Sequence, residues 1–170
     1  MKKVASILMV LCLVVSLAGC DFLKDVADSA KVEEPKTFEF DGISIELTTN
    51  FLRMEFISDE YDFIVGDEIL SVFGIKADTE GTDLEDMTAA EYAQNFRTLM
   101  ADYEPTEITF IDDIPTMQYT EGDEDEKQTC AVTFFKGKKY IWLVCFAAAT
   151  EDFDDLYEDI CNYAKTVKCE

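Results

Sequence analysis

Residues 129–149 read TCAVTFFKGKKYIWLVCFAAA, two runs of strand-forming residues joined by residues 136–139. This pattern predicts a β-hairpin, and Gly137 at the first central position is typical of a two-residue type II′ turn. In that register Lys136 pairs with Lys139, and Cys130 lies directly opposite Cys145. The spacing therefore predicts a hairpin whose register brings two cysteines together.

Both faces of the predicted hairpin are apolar, whereas an antiparallel sheet with one solvated face alternates apolar and polar residues. One face carries Cys130, Val132, Phe134, Ile141, Leu143 and Cys145, and the other carries Ala131, Thr133, Phe135, Tyr140, Trp142 and Val144. Two interpretations fit this pattern. Either helices cover both faces, or helices cover one face and the aromatic stripe Phe135, Tyr140 and Trp142 meets a partner, since aromatic residues are favoured at interface cores.

Strand and helix patterns surround the hairpin. Residues 37–40 and 43–47 alternate around Asp41-Gly42, a strong turn signal, and further strand candidates lie at 53–57, 61–65, 70–77, 107–111 and 115–120. Helical spacing occurs at 88–103, which starts with the capping box Thr88-Ala89-Ala90-Glu91 and ends before Pro105, and at 150–167. The order predicts a single α+β domain over residues 37–170, with a mainly antiparallel sheet and two main helices.

This layout resembles the PsbP-like fold, an α/β sandwich named for an extrinsic subunit of photosystem II and also found in small bacterial lipoproteins. The features that carry the resemblance are the early Phe-x-Phe-Asp-Gly-Ile-x-Ile hairpin at 38–45, the central helix, the late strands and the terminal helix. The resemblance implies an assembly or interaction protein and supplies no catalytic residues. Resemblance of fold does not by itself assign a function.

The first 20 residues predict an export signal. Lys2 and Lys3 precede a stretch, residues 4–17, whose only polar members are two serines and which is shorter than the ~20 residues of a membrane span. It ends in Leu17-Ala18-Gly19-Cys20, which resembles the lipobox of bacterial lipoproteins. The resemblance implies removal of residues 1–19 and attachment of a diacylglycerol to the Cys20 thiol. The alternative is an ordinary secretory signal that leaves Cys20 as a structural thiol.

The mature chain is strongly acidic. The full sequence holds 14 Lys and Arg against 37 Asp and Glu, a net charge of −23, and loss of the leader removes two lysines and no acids. Such a chain is repelled by phosphate backbones and by anionic headgroups, which argues against nucleic-acid binding and leaves the lipid on Cys20 as the membrane attachment. Residues 20–36 are polar and predict a tether between this lipid and the domain.

Four further cysteines remain in the mature chain: Cys130, Cys145, Cys161 and Cys169. Disulfides are permitted in an exported protein, so a Cys130–Cys145 disulfide is one expectation and buried free thiols are the other. The spacings contain no C-x₂-C pair, so no zinc site is expected.

The residue types that most catalytic centres need are missing or dispersed. The chain has no histidine, which excludes Ser-His-Asp and Cys-His catalysis. The acidic run from Glu121 to Glu126 has the carboxylates that Ca²⁺ prefers but not the spacing of an EF-hand loop, so a solvated loop is expected there. We expect no catalytic residue, no cofactor and no metal site.

These observations predict a membrane-anchored, extracytoplasmic bacterial lipoprotein with a non-enzymatic interaction or assembly domain and an envelope protein as its partner. The alternative is a lipoprotein that binds a small ligand or a divalent cation. A hydrolase ranks third, because nothing singles out two of the 37 acids as a catalytic pair.

Overall fold

The centre of the fold is an antiparallel sheet built around the predicted hairpin. The computed structural model describes residues 34–54, 61–123 and 126–170, so the leader and Cys20 lie outside the described residues. The described strands are β1 (Pro35–Phe40), β2 (Ile43–Thr48), β3 (Leu52–Arg53), β4 (Phe63–Gly66), β5 (Ser71–Asp78), β6 (Thr109–Ile111), β7 (Ile114–Glu121), β8 (Gln128–Lys136), β9 (Tyr140–Ala149) and β10 (Lys168–Cys169). The helices are α1 (Ala89–Leu99), a 3-10 turn (Ala101–Tyr103) and α2 (Thr150–Thr166).

The strands form two sheets. The larger sheet has seven strands in the order β3-β4-β5-β9-β8-β7-β6, and the smaller has three in the order β1-β2-β10. Every pairing between described strands is antiparallel. The predicted α+β class with a mainly antiparallel sheet is therefore confirmed.

One face of the large sheet, which we call the Trp142 face, packs against the small sheet and α2. It carries Ala131, Trp142, Val144 and Phe146. The small sheet contributes Phe38, Ile43, Ile45 and Leu47 to the same core, and α2 contributes Phe153, Ile160 and Ala164. The alternation of the early hairpin explains this packing, because its apolar positions have period two and all point to one side.

The opposite face, which we call the Cys130 face, packs against α1 where β7 and β8 cross under it. The Phe134 ring lies 6.2 Å from the Tyr92 ring and 5.7 Å from the Phe96 ring, both in edge-on geometry. Most of β8 and β9 is consequently buried on both faces. Both faces of the hairpin are covered, as the first interpretation expects, but one of them is covered by the small sheet together with α2 and not by helices alone.

The helix boundaries follow local chemistry. Thr88 caps α1: its hydroxyl oxygen accepts a hydrogen bond from the Glu91 N–H, and the Glu91 carboxylate accepts one from the Thr88 N–H at 2.8 Å. This is the predicted capping box. The chain leaves the 3-10 turn through Glu104 at φ 48°, directly before Pro105. The predicted helix at 88–103 is therefore an α-helix followed by a tighter turn.

The register of the β8–β9 hairpin differs from the prediction. Cys130 lies opposite Ala147 and Cys145 lies opposite Val132, so each cysteine is two residues away from the predicted partner. The reason is the turn: the Gly137 N–H donates to the Tyr140 carbonyl at 2.8 Å, which makes Lys138 and Lys139 the central residues. A shift of two residues keeps every side chain on its predicted face.

Gly137 is not a central residue of the turn. A glycine is needed there because Cys169 and Glu170 pack closely against it. A Cβ at this position would lie 2.7 Å from the Glu170 carbonyl oxygen and 3.3 Å from the Cys169 Cβ. The Lys138 N–H donates to the same carbonyl at 2.7 Å, and the Glu170 N–H donates to the Gly42 carbonyl at 3.1 Å. The C-terminal strand thus links the small sheet to the end of the hairpin.

Candidate functional site

The structure places the aromatic stripe in the core and not at a partner surface. Trp142 is only 1% exposed, and Phe135 and Tyr140 are half-buried against the same core. Phe135 lies directly opposite Trp142 in the β8–β9 ladder. The prediction that Trp142 contributes to a docking surface is wrong, because the small sheet and α2 cover the face to which it points.

A cation lies beside these aromatic rings. Lys76 is opposite Trp142 in the β5–β9 ladder, and its Nζ is 5.1 Å from the Tyr140 ring centroid and 5.7 Å from the Trp142 ring centroid. Both distances fall within the ~6 Å range of cation–π attraction. Within the described part of the chain, the Trp142 indole N–H is buried without a hydrogen-bond partner. The indole ring therefore contributes apolar area to the core and its face to the contact with Lys76. Its N–H group has no hydrogen-bond acceptor among the described residues.

Two carboxylates form ion pairs with this lysine. The Lys76 Nζ is 3.0 Å from Asp41 Oδ2 and 3.3 Å from Asp62 Oδ1, and the Lys76 N–H donates to Asp62 Oδ2 at 2.7 Å. The hydrogen bond to Asp41 is the main cause that raises the pKa of Lys76, with Asp62 adding to it and burial opposing it. A lysine held in its charged form by two acids is a structural cross-link and is unsuited to act as a base or a nucleophile.

The second polar cluster lies on the Cys130 face. It consists of Tyr119 and Glu121 from β7, Cys130 from β8 and Cys145 from β9, and we call it the thiol–carboxyl cluster. The Cys130 Sγ donates to Glu121 Oε1 at 4.0 Å. Both cysteines are buried and free, so the structure has the thiols and not the disulfide.

Two members of this cluster, Cys145 and Tyr119, are held in their protonated forms. Burial, together with the neighbouring Cys130 and Glu121, strongly raises the pKa of the Cys145 thiol. Burial is also the main cause that raises the pKa of the Tyr119 phenol. Because the thiolate is the nucleophilic form of cysteine, a buried thiol with a raised pKa is chemically inert.

Glu121 is the member of the cluster that titrates near neutral pH. Its side chain ends β7 with 9% of the residue exposed, and burial raises the pKa of its carboxyl to about 7. From the sequence alone, Glu121 is expected to be the first residue of a solvated acidic loop. The signal that it belongs to the strand is the period-two series Met117, Tyr119, Glu121, which continues the buried face of β7.

We predict that Glu121→Gln changes how stability depends on pH. An unfolded carboxyl with the ordinary pKa of 4.5 loses its proton before the folded one, whose pKa is about 7. The wild type should therefore lose stability as pH rises from about 4.5 to 7, whereas glutamine does not titrate. As pH rises from 4 to 8, the free energy of unfolding of the variant should increase by about 1–2 kcal/mol relative to that of the wild type. Urea unfolding at each pH measures this difference.

The matched control for this prediction is Glu126→Gln, which removes an exposed carboxyl from the other end of the same loop. Its stability curve should run parallel to that of the wild type across the pH range. Parallel curves for the Glu121→Gln variant as well would contradict the buried, protonated carboxyl.

The acidic loop itself lies only partly within the described residues. Asp123 and Glu126 are described, and the Glu126 N–H donates to the Asp123 carbonyl at 3.0 Å, while residues 124–125 lie outside. Among the residues that the structure describes, no group of three or more His, Cys, Asp or Glu side chains is placed to hold a metal ion.

Comparison with solved structures gives distant likenesses. The chain is similar to cyanobacterial PsbP (CyanoP) from Synechocystis sp. PCC 6803, with a TM-score of 0.51, 13% identity, and coverage of 85% of this chain and 97% of that one. A crystal structure from Bacteroides thetaiotaomicron has a TM-score of 0.53 and 9% identity, with coverage of 75% of this chain and 45% of that one, so the chain spans about half of it. A crystal structure of LpqN, involved in cell envelope biogenesis of Mycobacterium tuberculosis, has a TM-score of 0.48 and 9% identity over 86% of this chain and 95% of that one.

These likenesses concern the fold. The similarity to CyanoP supports the predicted PsbP-like sandwich. No protein-family model matches the chain, and no curated protein matches it. In the described ranges, no helix is both long enough and apolar enough to cross a membrane.

Proposed function

We propose that this chain is a bacterial lipoprotein. In this proposal a diacylglycerol on Cys20 holds an α+β domain at the extracytoplasmic face of the cell membrane, and the domain works by binding an envelope protein without catalysing a reaction. The observation that carries the proposal is Leu17-Ala18-Gly19-Cys20 directly after a short apolar stretch with two N-terminal lysines.

The position of the domain supports the anchoring part of the proposal. The first strand begins at Pro35, so Asp21 to Glu34 separate the lipidated cysteine from the sheet. Fourteen residues reach at most about 50 Å when fully extended. This is long enough for a domain of this size to stand clear of the lipid headgroups.

The chemistry of the two polar clusters supports the non-enzymatic part. Lys76 is paired with two carboxylates, and the Cys145 thiol is buried with a raised pKa. Neither cluster combines an accessible nucleophile with a base, which is the arrangement that covalent catalysis needs. A domain with a covered core and inert polar groups is suited to binding through its surface.

The test of anchoring is Cys20→Ala, expressed in a bacterium that processes lipoproteins and grown with radiolabelled palmitate. We expect the wild type to incorporate label and Cys20→Ala to lose it completely, because the cysteine thiol is the acceptor of the lipid, and the variant should be left as an unprocessed or a soluble protein. The matched control is Cys12→Ala, which removes a thiol from the apolar part of the same leader and should leave labelling unchanged. Label that persists in Cys20→Ala would refute the proposal.

A further inference from the structure

The free edge of the large sheet at β6 has the geometry of a docking edge. β6 is the last strand of the seven and pairs with β7 alone among the described strands. It joins β7 through the two-residue turn Asp112-Asp113, with Asp112 at φ 56°. In a two-residue hairpin the flanking residues form a hydrogen-bonded pair, which here is Ile111 and Ile114.

The alternation of that ladder exposes main-chain groups of Phe110. The next pair, Phe110 and Pro115, is of the non-hydrogen-bonded kind, so the Phe110 N–H and C=O point away from β7. Pro115, which has no N–H to donate, fits this position. The sheet therefore ends in a donor and an acceptor that an added strand can use.

The same residue exposes a large apolar side chain. Phe110 is 58% exposed, and its ring is one of four large hydrophobic side chains exposed in the described part of the chain. Aromatic side chains beside a free strand edge can fill a pocket or pack on a partner residue, which is how strand addition acquires specificity.

The charge around this edge is predominantly negative. From Thr98 to Thr120, which includes β6 and most of β7, the sequence has five acidic residues and no lysine or arginine. The two cations that reach the region are already paired, Arg97 with Glu107 at 2.6 Å and Lys165 with Asp112 at 3.7 Å. The α2 helix contacts β6, and its exposed residues include Asp154, Asp155, Glu158 and Asp159.

We propose that the β6 edge binds an extended, basic segment of a partner protein, which adds as a strand to the large sheet and packs on Phe110. This inference rests on the proposed function, because it names the surface and partner chemistry of the same binding domain. A second copy of this chain is disfavoured as the occupant, since two edges of the same strong negative charge repel each other.

The test uses the full mature chain in detergent and two synthetic peptides. One alternates lysine and valine over seven residues, and the other has glutamate in place of lysine. We expect the lysine peptide to bind at least about tenfold more tightly at low salt, to weaken as salt increases, and to slow hydrogen exchange of the Phe110 amide. Equal binding of both peptides, no binding, or binding without protection of that amide would overturn the proposal.

Two variants locate the site. Phe110→Ser should weaken binding of the lysine peptide about tenfold, because a central aromatic contact is lost. The matched control is Leu52→Ser, which removes a side chain that is 60% exposed from β3, the opposite edge strand, and should bind like the wild type. Equal losses in both variants, or none in Phe110→Ser, would refute the edge as the site.

A parallel capture experiment from solubilised membranes separates this inference from the proposed function. If the wild type and Phe110→Ser retain the same membrane protein equally, the β6 edge is the wrong surface and the binding function stands. If the wild type retains none, the proposed binding function fails. Sedimentation equilibrium completes the test, since self-association that Phe110→Ser abolishes would assign the edge to a second copy and overturn the proposal.

Discussion

Replacing Trp142 with alanine should lower the free energy of unfolding by about 3–5 kcal/mol, because a large, fully covered side chain leaves a cavity that the sheet cannot close. Trp142 is 1% exposed, and its ring contacts Phe63 and Tyr140 at centroid distances of 6.2 and 6.1 Å. Lys76 would also lose one of its two aromatic partners. Urea unfolding followed by far-ultraviolet circular dichroism measures the effect.

A conservative variant and a surface control make this prediction sharper. Trp142→Phe keeps most of the ring and removes the unpartnered indole N–H, whose burial costs about 1–3 kcal/mol, so its net effect should be about 1 kcal/mol or less. Leu52→Ala, at an exposed edge position, should change stability by about 0.5 kcal/mol or less. An effect of Trp142→Ala as small as that of Leu52→Ala would show that the indole is not in the core.

The hairpin shows which features a single sequence determines. The alternation of residues 130–135 and 140–145 predicts which side chains share a face, and the structure confirms that division. The predicted register is wrong by two residues because it depends on how Gly137 is used. A glycine in a short loop indicates a turn residue, but here it leaves room for Cys169 and Glu170, which lie more than 30 positions further along the chain. Contacts of this range leave no signal in the local pattern.

The aromatic stripe illustrates the same limit for surfaces. The pattern shows that Phe135, Tyr140 and Trp142 share a face, and the early hairpin at 38–45 was predicted with its apolar side defined. The pattern does not show that the apolar side of the early hairpin packs on the face that carries this aromatic stripe. The packing of one sheet on another depends on the whole topology, and two apolar faces that each need a partner can cover one another.

The burial of Glu121 and the exposure of Phe110 are hidden in the sequence for opposite reasons. Glu121 continues a buried strand face but is followed by five further residues that are mostly acidic, so composition concealed its periodicity. Phe110 has the appearance of a core residue within a short strand, and its exposure follows from the position of β6 at the end of the strand order. Strand order is a property of the fold, so the edge could be identified only once the pairing was known.

The use of Gly137 leads to a second prediction of large effect. Gly137→Ala should lower the free energy of unfolding by about 1–3 kcal/mol, because the new methyl group would lie 2.7 Å from the Glu170 carbonyl oxygen and the C-terminal strand would have to move. Backbone conformation is not the cause, since Gly137 is not among the residues with positive φ.

A double-mutant cycle separates the close contact from any effect on the turn. When residues 169–170 are deleted, the atoms that the methyl group meets at 2.7 and 3.3 Å are gone, and Gly137→Ala should cost about 0.5 kcal/mol or less relative to the deleted chain. The remaining neighbour, the Tyr140 carbonyl oxygen at 3.4 Å, is within ordinary contact. If the alanine were equally harmful in both backgrounds, the glycine would be required by the turn, and the hairpin would have the type II′ geometry that the sequence predicts.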